Sequence, residues 1–155
     1  MSAASQPSPG SQLRILVVDD ERLVRESVNM LLSFDGHHVD MANDGEAALG
    51  KLASEKFDVV ITDFEMPRMK GDQLAVAIKA RWPELPVILL SAYGEIFKAE
   101  GKQLPGVDLI LSKPFLLETL RQSLVTVLGT EEGGKDHVLP PSPAKEPPGK
   151  RPDKR

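Results

Sequence analysis

Apolar positions along this chain follow two alternating patterns. Five short, nearly continuous runs rich in Val, Ile and Leu predict strands at residues 13–18, 38–41, 57–62, 87–90 and 107–111. Continuity of this kind marks strands covered on both faces. The run at 38–41 is the most polar and fits a sheet edge. Between the runs, apolar residues recur at helical spacing: Val24, Val28, Leu31 and Leu32; Ala48, Leu49 and Leu52; Leu74, Ala77 and Ile78; Leu117, Leu120, Leu124 and Val127. Asn43 followed by Glu46 has the form of a capping pair opening the second helix. The stretch 95–102 is bracketed by Gly94, Gly101 and Pro105, so a short, frayed or mobile fourth helix is expected. Five βα units in succession predict an α/β fold, a doubly wound five-stranded parallel sheet with helices on both faces.

Composition sets the boundaries of that domain. The chain has 155 residues, 41% of them hydrophobic, enough for one domain with a core. Eight of the thirteen prolines fall outside residues 13–129, which predicts a disordered N-terminal segment at 1–12, one domain at 13–129 and a Pro-rich disordered tail at 130–155. There is no cysteine, hence no disulfide framework and no thiolate metal site. No run is long enough to span a bilayer and residues 1–12 lack a signal-like apolar stretch, so a cytoplasmic protein without membrane contact is expected. The formal charge is −4, and the tail's six Lys or Arg against five Asp or Glu leave −5 for residues 13–129. An acidic domain has no basic face for phosphate backbones, so no nucleic-acid partner is expected.

Candidate chemistry sits where four of the apolar runs end: Asp19 and Asp20, Asp63, Ser91 and Lys113. Taken singly, each has an ordinary explanation as a helix cap, a turn residue or a solvated lysine. In a parallel sheet of order 2-1-3-4-5, however, the carboxyl ends of these strands share one edge, where such folds place their ligands. Carboxylates about 4 Å apart repel by roughly 4 kcal/mol per pair at an effective dielectric near 20, a cost that a bound cation removes. An all-oxygen donor set without His or Cys suits Mg²⁺, with Mn²⁺ able to substitute. Asp63 could then attack phosphorus as a nucleophile, with Ser91, Lys113 and nearby amides stabilising the phosphoryl oxygens.

Five motifs carry a family resemblance: VVDDE at the first strand end, ANDGEAAL opening the second helix, ITDFEMPRMKG after the third strand, LLSA after the fourth and SKPF after the fifth. In combination they resemble the receiver domain of two-component response regulators, over residues 13–128. The resemblance implies a stand-alone, CheY-like receiver with a flavodoxin-like fold and a phosphoacceptor at Asp63. It implies Mg²⁺ ligation by Asp20 and Asp63, with Asp19 acting directly or through water and the Glu65 backbone carbonyl adding a ligand. Ser91 and Lys113 would hold phosphoryl oxygens, assisted by the Phe64 and Ala92 amides. Pro114 would follow a cis peptide, and Pro67 and Gly71 would shape the loop after Asp63. Phosphate would come from a sensor histidine kinase or histidine phosphotransfer protein, with specificity on the first helix around Arg22, Leu23, Arg25, Glu26 and Asn29. The output would be phosphorylation-dependent binding of a downstream protein, with no enzymatic activity beyond self-catalysed transfer and autodephosphorylation.

The chain departs from the family at Ile110, where many receivers place an aromatic switch residue. Tyr93 and Phe97 are the aromatics left to share that role, through the loop 92–97 and the fourth helix. Glu65 and Tyr93 would flank the path of the hydrolytic water. Two other classes compete with a working receiver. One is a scaffold that keeps the fold without using phosphorylation. The other is an Asp-nucleophile phosphohydrolase of the haloacid dehalogenase type, which wants a second Asp where Glu65 stands.

Overall fold

The computed structural model describes residues 12–129. Five strands and five helices alternate: β1 (Arg14–Val18), α1 (Arg22–Phe34), β2 (His38–Ala42), α2 (Gly45–Ser54), β3 (Val59–Asp63), α3 (Gly71–Arg81), β4 (Val87–Ser91), α4 (Gly94–Ala99), β5 (Leu109–Ser112) and α5 (Leu117–Leu128). All pairings are parallel, in the order β2-β1-β3-β4-β5, the doubly wound flavodoxin-like arrangement that the sequence predicts. The segments expected outside 13–129 lie almost wholly beyond the described residues. Among those described, no helix is long and apolar enough to cross a membrane.

Strand periodicity of two explains why the apolar runs are continuous. Ile15, Val17, Val59, Ile61, Ile88 and Leu90 point to one face and pack with Val28 and Leu32 of α1 and Leu120 and Leu124 of α5. Leu16, Val18, Val60 and Val87 point to the other, against Ala48 and Leu52 of α2 and Leu74, Ala75 and Ile78 of α3. Each central strand is therefore apolar at both parities, whereas β2 at the edge is mostly half-buried.

The element ends differ from the sequence prediction in instructive ways. The cap of α2 is Asp44, whose Oδ1 accepts the Ala47 N–H at 2.8 Å, so the capping pair shifts one residue from Asn43. Phe57 and Asp58 precede β3; the Asp58 carboxylate accepts the Arg14 N–H at 2.8 Å, and that bond replaces a ladder partner. β5 begins at Leu109, because Asp108 is engaged by Lys79 at 2.6 Å and by the Val87 N–H at 2.8 Å. α4 is the shortest helix described, six residues ending before Gly101, which adopts φ 65°. Its start is pressed against β5: a Cβ at Gly94 would lie 2.9 Å from the Ser112 Cα.

Candidate functional site

The parallel register carries the four chemistry-bearing strand ends to one edge. Asp63 closes β3 opposite Leu90, and Ser91 closes β4 opposite Ser112. The Lys113 N–H continues the ladder onto the Ser91 carbonyl at 2.9 Å, placing Lys113 one step beyond β5. Asp19 leaves β1 with its amide bonded to the Ala42 carbonyl at 3.2 Å. Sheet geometry alone thus assembles strand ends 22 to 94 positions apart in sequence.

The side chains complete the convergence. Lys113 Nζ donates to Asp63 Oδ1 at 2.7 Å, and Asp63 is 4% exposed. One carboxylate oxygen from each of Asp19, Asp20 and Asp63 lies within 4.8 Å of the others. Asp19 is buried and Asp20 exposed, so the cluster is open to solvent on one side. Asp19 Oδ1 accepts the Glu21 N–H at 2.9 Å, while Oδ2 is buried without a hydrogen-bond partner. Arg25 Nη1 grips the Asp19 carbonyl at 2.7 Å, fixing the turn that presents both aspartates. That role for Arg25 is invisible in the sequence pattern, where it stands only among the residues of the first helix expected to set kinase specificity.

Burial and like charge dominate the electrostatics. Burial pushes the Asp19 carboxyl up from its usual 3.8 to about 6; the charges of Asp63 and Asp20 add to the rise, against the Glu21 amide and Lys113. Burial also raises Asp63, in spite of the Lys113 hydrogen bond. Burial works against the Lys113 ammonium, but its hydrogen bond to Asp63 and the charges of Asp63, Asp19 and Glu65 hold its pKa above the usual value. One ammonium does not balance three carboxylates. The unpartnered Asp19 Oδ2, the convergent oxygens and the absence of N or S donors from this cluster together fit a hard divalent cation such as Mg²⁺.

The remaining predicted residues surround this centre. Ser91 is fully buried, and its Oγ accepts the Tyr93 N–H at 2.9 Å. Ala92 is exposed in the turn after β4, and Tyr93 is half exposed at the start of α4. The Phe64 N–H donates to the Leu90 carbonyl at 2.8 Å and also helps keep Asp63 ionised. Glu65 is half-buried, with Oε2 unpartnered and its charge felt by Lys113. Ile110 is half-buried in β5 beside Leu89, and the Lys113–Pro114 peptide is cis. Gly71 lets the loop after β3 fold back, since a Cβ there would collide with the Asp63 carbonyl and stand 2.9 Å from the Phe64 Cα. A contact missed by sequence reasoning joins Phe64 to Phe97 of α4, edge to face, with ring centroids 5.3 Å apart at 79°.

Residues 15–125 match the response regulator receiver domain. The chain belongs to that family. This receiver is 38% identical over 134 residues to the response regulator protein FleR of Pseudomonas aeruginosa, covering 83% of the chain and 28% of FleR. It is 41% identical over 108 residues to the response regulator MprA of Mycolicibacterium vanbaalenii, covering 70% of the chain and 47% of MprA. The receiver thus spans less than half the length of these relatives. Among solved structures, the response regulator TrrA of Thermotoga maritima, in complex with Mg²⁺ and BeF, superposes with a TM-score of 0.67 at 34% identity; 75% of this chain and 99% of TrrA are covered. Magnesium and phosphorylation are typical of receivers.

Proposed function

We propose that this receiver takes a phosphoryl group onto Asp63 in a Mg²⁺-dependent reaction and signals through a phosphorylation-dependent protein contact. The donor is the phosphohistidine of a sensor histidine kinase or histidine phosphotransfer protein. The observation that carries this reading is the buried Asp63 carboxylate, 2.7 Å from Lys113 and inside the acidic cluster. A carboxylate oxygen of Asp63 forms the new P–O bond while the donor's P–N bond breaks, and the electron pair returns to the imidazole, which recovers a proton from solvent.

Within that step the chain's own residues divide the work. Asp19, Asp20, Asp63 and the Glu65 carbonyl are the proposed ligands of Mg²⁺; Mn²⁺, with the same preference for oxygen, substitutes. Bound there, the cation offsets the negative charge of the cluster and of the incoming phosphoryl oxygens. Lys113 and the Ser91 hydroxyl stabilise the remaining oxygens, with the Ala92 and Phe64 amides assisting. Ser91 Oγ accepts the Tyr93 N–H and keeps its own proton free for a phosphoryl oxygen, so a turn of the hydroxyl toward the phosphoryl group is felt through that bond at the first turn of α4. The Phe64–Phe97 contact supplies a second connection to α4, in a chain whose Ile110 offers no aromatic.

The test is incubation with Mg²⁺ and acetyl phosphate labelled at phosphorus. Wild type takes up acid-stable, hydroxylamine-labile label, and Asp63→Asn takes up none. Equal labelling of the two proteins, or no labelling of either, defeats the proposal.

A further inference from the structure

A single side-chain hydrogen bond ties the start of α4 to the strand that delivers Lys113. Ser112 closes β5, and its Oγ donates to Glu95 Oε2 at 2.9 Å. Leu109 and Leu111 of β5 pack with the core on the side of α1 and α5, so by strand alternation Ser112 points to the opposite face, where α4 begins. Gly94 makes the approach close: a Cβ there would lie 3.1 Å from the Ser112 Cβ. Glu95 follows in the first turn of the helix.

Lys113 is the next residue after Ser112. Its N–H bonds to the Ser91 carbonyl at 2.9 Å, and its Nζ meets Asp63 at 2.7 Å. A lysine ammonium rides on a flexible stem, so its aim depends on how firmly the backbone beneath it is held. On one side that backbone is held by the Lys113 amide, and on the other by Glu95 through Ser112. The same turn of α4 also touches the neighbouring strand, because the Tyr93 N–H donates to Ser91 Oγ at 2.9 Å and Ser91 pairs with Ser112 in register. Residues 93–95 thus bridge the ends of the two strands from which Ser91 and Lys113 act.

We propose that Glu95 is a positioning residue for phosphoryl transfer to Asp63, holding Lys113 in place through Ser112; this rests on the reading of Asp63 as phosphoacceptor. The charges that raise the Lys113 pKa are those of Asp63, Asp19 and Glu65, so Glu95 acts on the lysine through the backbone and not by direct attraction. Small displacements matter at such a site, since a shift of about 1 Å in a reacting group costs up to about a hundredfold in rate. Charge and geometry predict opposite signs for the loss of Glu95. As a bare negative charge it repels an anionic donor, and removing it speeds labelling. As the acceptor for Ser112 it steadies Lys113, and removing it slows labelling.

The measurement is the initial rate of Asp63 labelling by acetyl phosphate with Mg²⁺, for wild type, Glu95→Ala, Glu95→Gln, Ser112→Ala and the double alanine variant. Far-UV circular dichroism confirms equal folding. Glu95→Ala and Ser112→Ala are each expected to lower the rate about fivefold, the equivalent of one lost hydrogen bond. Glu95→Gln keeps an acceptor without the charge and is expected to stay within about twofold of wild type. The double variant is expected to be no slower than either single one, because both remove the same bond. Rates that rise or stay equal on removing Glu95, a Glu95→Gln variant as slow as Glu95→Ala, or losses that multiply in the double variant overturn the proposal. A second readout needs no phosphoryl transfer: the NMR signal of the Lys113 ammonium in protein grown with isotope-labelled lysine, identified by its absence from Lys113→Met. It is expected to broaden in Glu95→Ala and Ser112→Ala as exchange with water quickens, and an unchanged signal in both overturns the proposal. If wild type takes no label, the phosphoacceptor reading fails, and the ammonium signal still decides whether Glu95 positions Lys113.

Discussion

Asp19 is the residue at which stability and chemistry conflict. Its carboxylate is 2% exposed, one oxygen has no partner, and its pKa is driven to about 6 by burial and by two neighbouring aspartates. A rise of about two units above the usual 3.8 means that holding it ionised near neutral pH costs up to about 3 kcal/mol. Asp19→Asn removes that cost, keeps an oxygen for the Glu21 amide and offers a donor to the neighbouring carboxylates. Without divalent cations the variant is expected to melt higher than wild type, by about 3–5 °C per kcal/mol recovered. With Mg²⁺ added, wild type gains thermal stability and the variant gains much less. Calorimetric melts of both proteins, with and without EDTA, check this; a lower melting point for the metal-free variant refutes it. The strand-end motif made Asp19, Asp20, Asp63, Ser91 and Lys113 legible in the sequence because each stands at a boundary between an apolar run and a loop. The grip of Arg25 on the Asp19 carbonyl and the contact of Phe97 with Phe64 were not legible, although both residues were named, since those contacts depend on how α1 and α4 lie on the sheet, which no local pattern encodes.

At the scale of elements, the periodicities carried nearly all of the architecture. What they misplaced were ends, and the errors share one cause. Asn43 and Asp44 are both good caps by residue type, and only the extended backbone at Asp44, φ −162° and ψ 177°, decides between them. The starts of β3 and β5 moved because Asp58 and Asp108 spend their carboxylates on backbone amides of neighbouring strands. α4 was legible as weak, and its six residues are tied down by few contacts: Gly94 against Ser112, Glu95 accepting the Ser112 hydroxyl at 2.9 Å, and Phe97 against Phe64. A helix held at so few points responds to small changes in any of them. Upon addition of beryllofluoride with Mg²⁺, amide NMR shifts are expected to move across residues 92–111 in wild type. Phe97→Ala keeps the shift changes around Asp63 but diminishes those in α4. Unchanged α4 shifts in wild type, or equal responses in the two proteins, exclude the Phe64–Phe97 connection as the route.

For the whole molecule, the close-packed sheet separates the acidic cluster from His37, which meets the chain just before β1, and pH acts on the two ends through different groups. Asp19 has a folded pKa above its unfolded value, so in metal-free protein it binds a proton on folding: stability falls as pH rises from about 4 through 6, and the deficit persists at higher pH. His37 runs the other way. Burial lowers its pKa below 6.5, in spite of Asp35, and its Nδ1 accepts the Leu13 N–H at 3.1 Å, so its contribution is present above pH 6.5 and is lost as pH falls below that. The two slopes oppose each other in the same window, which flattens the pH profile of the metal-free protein. A cation at the acidic cluster requires ionised carboxylates and therefore competes with the proton on Asp19, whereas His37 is indifferent to it. The difference in melting temperature with and without saturating Mg²⁺ isolates the cluster. It is expected to be small at pH 5 and to grow to several degrees by pH 7.5, with its midpoint near the Asp19 value of about 6. His37→Gln alters the metal-free profile but leaves that difference unchanged. A Mg²⁺ effect that is constant across this range, or that shrinks as pH rises, is incompatible with cation binding at Asp19, Asp20 and Asp63.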